Sequence, residues 1–325
     1  MAQPVAERGI DADALRAWTA ALIGDEATKT ARFGIAVSGG ADSLALLLLA
    51  HRAFADRVAA ATFDHQLREA SAAEAAYVAQ LCADIGVPHT VIVPAEPITG
   101  SLQAAAREAR YAALEEWCAV QHIDWLMTAH HADDQLETLV MRLNRGSGVA
   151  GLAGIRAVQG RVLRPLLRVR RTELLGVVRG HGWTAIDDPS NRDDRFDRAR
   201  VRKALAVSDL LDPAAAAASA AALADAETAL EWAAKAAQEN RLAHGQGGVS
   251  IDVLGLPREL KRRMICVGLS LIDPARAKPR GETIDHAMAA LERGKAAMIG
   301  DTCLKPVKNN PALWTFSPAP RRRTA

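Results

Sequence analysis

Two short stretches hold most of the groups able to do chemistry in this sequence. The first is Ser38-Gly39-Gly40-Ala41-Asp42-Ser43, set between an apolar run and a helical one. Gly39 and Gly40 can adopt positive φ, which turns successive backbone N–H groups toward one point. The N-terminus of the following helix adds partial positive charge, and together these make a phosphate cradle. No Lys stands where a Walker-type loop would place one, so the loop suits pyrophosphate and adenylate chemistry better than γ-phosphoryl transfer. Ser38 and Ser43 are expected to donate hydroxyl hydrogen bonds to phosphate oxygens, and Asp42 to hold Mg²⁺ or cap the helix. An ordinary tight strand-to-helix turn is the plainer reading of the Gly-Gly pair.

The second stretch runs Thr128-Ala129-His130-His131-Ala132-Asp133-Asp134-Gln135-Leu136-Glu137-Thr138. On a helix, His130, Asp134 and Glu137 share a face and Asp133 flanks it. Such a bundle of one imidazole and several carboxylates could hold Mg²⁺ beside phosphates, with Asp134 joining Asp42 as ligand. It could equally bind a cationic amine and help remove its proton, since a protonated amine cannot attack. Zinc is a weaker reading at this spacing without cysteine. A structural alternative leaves Asp133 or Asp134 as a helix cap and the rest solvated.

The elements that must position these groups follow from the apolar pattern. Strands are expected at 33–37, 58–63, 89–93 and 125–128, and helices at 43–54, 71–85, 102–120 and 133–143. Alternating short apolar runs and helices imply a parallel sheet covered on both faces, with ligands beyond the carboxyl ends of the strands. Both chemical stretches fall at such ends. A Gly-rich loop covers 145–154, and an Ala-rich helix free of Gly and Pro runs from Pro213 to about 240. Gly245, Gly247 and Gly248 read as a break, followed by helices at 257–271 and 282–293 and strand-like pieces at 297–299 and 313–316. The expected organisation is a catalytic domain over 1–208 and, over 209–325, a helical linker with a small α+β domain.

Half of the 325 residues are apolar and 24% are charged, which describes an ordinary globular chain, while scarce aromatics and abundant Ala favour packed helices over a barrel. Residues 1–10 carry no apolar core of signal-peptide length and no run approaches a bilayer span, so the expectation is a cytoplasmic protein with no membrane partner. Cys82, Cys118, Cys266 and Cys303 stand singly and read as free buried thiols. The net charge of +2 does not announce a nucleic acid, but its distribution is uneven. Arg161, Arg164, Arg168, Arg170 and Arg171 form one cluster, and Arg192, Arg195, Arg198, Arg200, Arg202 and Lys203 another, the latter partly balanced by neighbouring aspartates. A solvated face and a phosphate-contacting surface are both open readings.

The SGGxDS string matches the signature of the PP-loop ATP pyrophosphatases without a mismatch. HHADDQLET, Arg145-Gly146-Ser147-Gly148, Gly151-Leu152-Ala153-Gly154-Ile155, Phe63-Asp64-His65-Gln66-Leu67-Arg68, Arg164-Pro165-Leu166-Leu167 and Asp188-Pro189-Ser190-Asn191 narrow the likeness. Together they resemble the tRNA(Ile)-lysidine synthetase family over about 33–205. The resemblance implies an adenine nucleotide alpha hydrolase-like parallel-sheet domain, ATP and Mg²⁺ as cofactors, and lysine and a CAU-anticodon isoleucine tRNA as partners. It implies adenylation of the wobble cytidine and displacement of AMP by lysine. Ser38, Gly39, Gly40, Ala41, Asp42 and Ser43 would bind ATP, and Asp42, Asp133, Asp134, Glu137 and Arg200 would carry the chemistry. His130, Asp134, Glu137, Arg145 and Arg168 would bind substrate. The chain departs at Ala199, where the family usually has Asn between two arginines, and it resembles a short form without a second C-terminal domain. A homodimer is an open option. The rivals are another PP-loop enzyme, such as a tRNA thiolation enzyme or an amidotransferase-type synthetase, and an inactive tRNA-binding protein.

Overall fold

The computed structural model describes residues 10–66, 71–94, 102–186, 197–245, 247–277 and 279–319. The chain divides into two compact units between Ala224 and Asp225. The first unit starts with helices α1 (Ala12–Ile23) and α2 (Asp25–Thr30). Strand β1 (Phe33–Ala36), helix α3 (Ala41–Phe54), β2 (Val58–Phe63), α4 (Ser71–Asp84) and β3 (His89–Ile92) follow. Then come α5 (Leu102–Val120), β4 (Trp125–Met127), α6 (Ala132–Leu143), α7 (Val149–Leu152), β5 (Val158–Gln159) and β6 (Val162–Leu163). Helices α8 (Arg171–Gly180) and α9 (Asp197–Ala206) precede α10 (Pro213–Arg241), inside which the division falls.

The sheet has the order β3-β2-β1-β4-β6-β5, parallel except for β5. The four expected strands are present. The β5–β6 hairpin is an addition, because two-residue strands leave no alternation to read in a sequence. β1 is buried on both faces, with Phe33 and Ile35 fully covered. α3 is apolar all round in its middle, and Leu44 and Leu46–Leu49 are at most 1% exposed between the sheet, α1 and α8. On the opposite sheet face, Leu114, Trp117 and Cys118 of α5 pack with Leu126. Gly34 permits this approach, since a Cβ there would lie 2.6 Å from the Trp117 ring. Each buried Leu stabilises the unit by about 1.5–3 kcal/mol in area terms.

The second unit contains the end of α10, β7 (Leu242–Gly245), β8 (Gly248–Asp252), α11 (Arg258–Ile272) and α12 (Gly281–Glu292). Strands β9 (Ala297–Ile299), β10 (Thr302–Val307) and β11 (Asn310–Pro318) complete an antiparallel sheet of order β7-β8-β11-β10-β9. The Gly-rich stretch expected as a break is the turn of the β7–β8 hairpin, pairing Gly245 with Gly248. Trp314, Phe316, Ile251 and Leu304 form the sheet side of its core, against Met264, Ile265 and Leu291. Gly268 brings α11 down onto the Phe316 ring, 2.6 Å from where its Cβ would be.

Among the described residues no helix is long and apolar enough to cross a membrane. All four cysteines are free and three are buried. Burial pushes the Cys82 thiol up to about 12 and that of Cys118 up to about 11.

Candidate active site

The turn from β1 to α3 holds the first group of candidates. Gly39 has φ +81°, and a Cβ there would lie 2.3 Å from Ile186 Cδ1, so glycine is required. The Ile186 N–H donates to Gly39 O at 2.9 Å and fixes the turn from outside. Gly40 is at φ −69° and is the N-cap of α3, with no side chain capping the helix. Donors of the first turn are thereby left to an anion. The Ser43 hydroxyl accepts from Ser38 N–H at 3.1 Å and donates to Gly40 O at 2.9 Å. Its one proton is used within the loop, so Ser43 braces the turn, while the exposed Ser38 hydroxyl is the one placed to meet a phosphate.

Ala41 opens α3 and Asp42 follows in its first turn. The Asp42 carboxylate lies 3.5 Å from His131 Nε2, and Asp134 Oδ2 lies 3.4 Å from the same nitrogen. One buried imidazole thus joins the loop after β1 to the helix after β4. His131 is the N-cap of α6, not a residue of the helix, because its backbone is extended (φ −130°, ψ −178°). Burial alone would lower its pKa, but Asp133, Asp42 and Asp134 outweigh burial and raise it to about 10. In that charged form Nδ1 carries a proton and does not accept from Asp134 N–H, 3.4 Å away. The cap that remains is His131 N–H donating to Asp134 Oδ2 at 3.1 Å.

Asp133 has a different task. Its Oδ2 accepts from the Arg171 N–H at 2.8 Å, tying α6 to the start of α8. Despite burial, which would raise it, His131 and this N–H hold the carboxyl down to about 2. Asp134 and Glu137, 8% and 3% exposed, face α9. Arg198 donates to Asp134 Oδ1 at 2.6 Å and to Glu137 Oε2 at 2.7 Å. Arg202 donates to Glu137 Oε1 at 2.5 Å. Burial opposes the Asp134 charge, yet His131 and Arg198 lower its pKa overall. Four carboxylates (Asp42, Asp133, Asp134, Glu137) therefore meet four cations (His131, Arg171, Arg198, Arg202), and the cluster is neutral.

Arg200, expected to act here, points away on α9. It is exposed and paired with Asp197, which also accepts from Arg145 at 3.2 Å. These residues rim a cavity of about 480 Å³ whose walls include Val140, Met141, Val201 and Leu205. Arg168 is exposed on the turn before α8. His130 precedes the N-cap, half-buried, with Nδ1 3.0 Å from Thr128 Oγ1. Burial pushes its pKa down to about 3, helped by Arg164, Arg107 and Arg198 against the pull of Asp134. Two adjacent histidines are thus pushed in opposite directions, His130 toward the neutral ring and His131 toward the charged one. The sequence reading missed His131, Arg198 and Arg202. The signal for the last two was available: 198 and 202 are one helical turn apart, beside the small Ala199 that packs inward at 7% exposure. Asp188-Pro189-Ser190-Asn191, Arg192 and Arg195 lie outside the described residues, as do Leu67, Arg68 and the three terminal arginines.

Among the described residues no set of three His, Cys, Asp or Glu side chains forms a ready metal cage. A Mg²⁺ site next to a nucleotide needs only one or two carboxylates, the phosphates supplying the rest. Asp42 fits that part, because its Oδ1 is buried without a hydrogen-bond partner, the nearest cation being Arg171 Nε at 3.9 Å.

Comparison with known proteins shows the family. A family model described as a PP-loop domain matches residues 14–208. A tRNA(Ile)-lysidine synthase of Zymomonas mobilis is 39% identical over 304 residues, covering 90% of both chains. Another, of Novosphingobium aromaticivorans, is 40% identical over 302 residues, again covering 90% of each. Among solved structures, a U34-tRNA thiolase of Methanococcus maripaludis superposes with a TM-score of 0.53 at 16% identity, covering 64% of this chain and 76% of the thiolase. That likeness concerns the fold alone.

Proposed function

The chain belongs to the tRNA(Ile)-lysidine synthase family of PP-loop enzymes, and from that premise we propose how its residues act. It uses ATP to join lysine to C2 of the wobble cytidine in the CAU anticodon of isoleucine tRNA, releasing pyrophosphate and AMP. The observation that carries the site assignment is the meeting of Asp42 and Asp134 at one imidazole nitrogen, at the carboxyl ends of β1 and β4.

In the first half-reaction the cytidine O2 attacks the α-phosphorus of ATP and pyrophosphate leaves. The backbone from Ser38 to Ser43, with the uncapped start of α3, receives the departing negative charge. Asp42, with Asp134 beyond His131, would hold Mg²⁺, which when bound draws charge from the phosphate oxygens. His131 keeps the two carboxylates in register from below. In the second half-reaction the lysine ε-amine attacks C2 and the C2–O bond to AMP breaks. Asp134 and Glu137 are the groups for the lysine ammonium, which would replace the guanidinium contacts of Arg198 and Arg202 like for like. A carboxylate released from its arginine then accepts the proton that frees the amine's lone pair. Arg145, Arg168 and Arg200, all exposed, are assigned to phosphates of the RNA or the adenylate. Residues 209–325 would grip another part of the tRNA, and the reaction would take place in the cytoplasm.

The test incubates the protein with ATP, Mg²⁺, labelled lysine and unmodified CAU-anticodon isoleucine tRNA, and counts label kept on the RNA. Base-stable label that disappears in Asp42→Ala and Asp134→Ala is the expected result. ATP cleavage without label would transfer the site to another PP-loop substrate.

A further inference from the structure

The segment after α8, residues 183–186, belongs to no helix or strand, yet it is strapped across the loop between β1 and α3. Two long-range hydrogen bonds place it. The Tyr77 hydroxyl on α4 donates to Thr184 O at 2.7 Å, and the Ile186 N–H donates to Gly39 O at 2.9 Å. Side chains close the contact. A Cβ on Gly39 would lie 2.3 Å from Ile186 Cδ1 and 3.2 Å from Val78 Cγ2 of α4. Tyr77, Trp183, Ala185 and Ile186 also pack on the core cluster that contains α3.

The strap acts on a peptide with little resistance of its own to turning over. Gly39 and Gly40 both lack a Cβ, so the plane between them has two sterically open orientations. Gly39 at φ +81° and Gly40 at φ −69° represent one of them. A trans peptide points its C=O and its N–H in opposite directions. With Gly39 O held on the strap, the Gly40 N–H faces away from it, on the side left for an anion. Among the described residues no protein group accepts from that N–H. The reverse orientation would place a carbonyl oxygen where a phosphate oxygen has to come, and the two would repel.

We propose that Ile186 and Tyr77 are positioning residues for the phosphate cradle. The Ile186 N–H, braced through Thr184 by the Tyr77 hydroxyl, locks the Gly39–Gly40 peptide with its donor turned to the ligand. Loosening the strap divides the molecules between the two orientations, and apparent affinity falls by the fraction that remains competent. Only ligands that meet this loop feel the loss. The proposal rests on the reading of the loop as the phosphate site for ATP, and not on the identity of the RNA.

The experiment measures binding without turnover, on the full chain, by calorimetric titration with inorganic pyrophosphate and with ATP. A CAU anticodon stem–loop RNA serves as the control ligand. Tyr77→Phe, which removes one neutral hydrogen bond, is expected to weaken both phosphate ligands roughly fivefold, with RNA binding and the melting curve unchanged. An amide-to-ester exchange at Ile186 deletes the donor itself and should weaken them by about tenfold. Ile186→Ala keeps the N–H but removes the packing over Gly39, and most of its loss should be recovered in Ile186→Val. In glycine-labelled protein, the shift of the Gly40 amide signal on adding pyrophosphate should shrink in Tyr77→Phe. Phosphate ligands bound within about twofold of the unmodified protein by both Tyr77→Phe and the Ile186 ester would overturn the lock. So would an equal weakening of RNA binding with a lowered melting curve, which marks a brace for the fold alone. A wild-type protein that binds neither ATP nor pyrophosphate would overturn the loop assignment and the lock with it. One that binds both yet transfers no lysine would count against the function and leave the lock standing.

Discussion

Each unit buries a glutamate to 3% exposure and neutralises it with arginine, but the two arrangements differ in what surrounds the pair. In the second unit Arg263 grips Glu227 through two parallel bonds of 3.0 and 2.7 Å. Its remaining Nε turns to Glu259 on its own helix, and no other carboxylate crowds Glu227 among the described ion pairs. In the first unit Glu137 shares Arg198 and Arg202 with Asp134, which shares His131 with Asp42 and Asp133. One pair is closed and local. The other is a link in a chain of carboxylates paired with cations from the N-cap of α6 and from α9. Packing accounts for the first, whereas clustering four carboxylates has no packing benefit and is what a reaction site requires.

Mutation can sharpen or break this contrast. The largest expected effect is in Asp134→Ala, which should lower lysine transfer by roughly 10³-fold while the first unit stays folded. Transfer within tenfold of the unmodified enzyme would dissolve the distinction. Glu227→Ala should act through stability, costing about 3 kcal/mol in urea unfolding of the second unit because Arg263 loses its buried partner. A loss below about 1 kcal/mol would mean that the closed pair is not the anchor it resembles. Asp133 gives a smaller, pH-dependent effect. Its carboxyl is depressed from 3.8 to about 2, so its contribution is present above pH 4 and is lost as pH falls through the folded value. Between pH 5 and pH 2 the unmodified protein should therefore lose about 1–2 kcal/mol more than Asp133→Asn, as read from acid-titrated denaturation curves. The smallest change is expected for Arg200→Ala, whose exposed pair with Asp197 should shift the melting midpoint by less than the equivalent of about 0.5 kcal/mol. Arg202→Ala, measured beside it, should shift the midpoint further.

Local spacing made the two chemical stretches legible. A Gly-Gly turn between an apolar strand and a helix, and carboxylates three residues apart at the next strand end, are properties of single elements. The parallel sheet followed from alternation of the same kind. What the sequence hid depended on phase or on brevity. His130 was favoured over His131 because it was placed on one helical face with Asp134 and Glu137, whereas both histidines precede the helix. The helix starts at Ala132, which makes His131 the extended cap and turns its ring inward. Arg200 was favoured over Arg198 and Arg202 because the phase of α9 is set by its packing on α6, not by its charge pattern. The β5–β6 hairpin was too short to register, and the β7–β8 turn resembled a linker because both are built from glycine.

The neutrality of the cluster around His131 bears on the order of events. Side chains whose charges already cancel add no net attraction for ATP beyond that of the uncapped start of α3, and none for the ammonium of lysine. Each ligand disturbs the balance in the opposite sense to the other, so each corrects the imbalance the other creates. Lysine and nucleotide should then bind with positive cooperativity, and reciprocity requires that lysine tighten ATP by the same factor by which ATP tightens lysine.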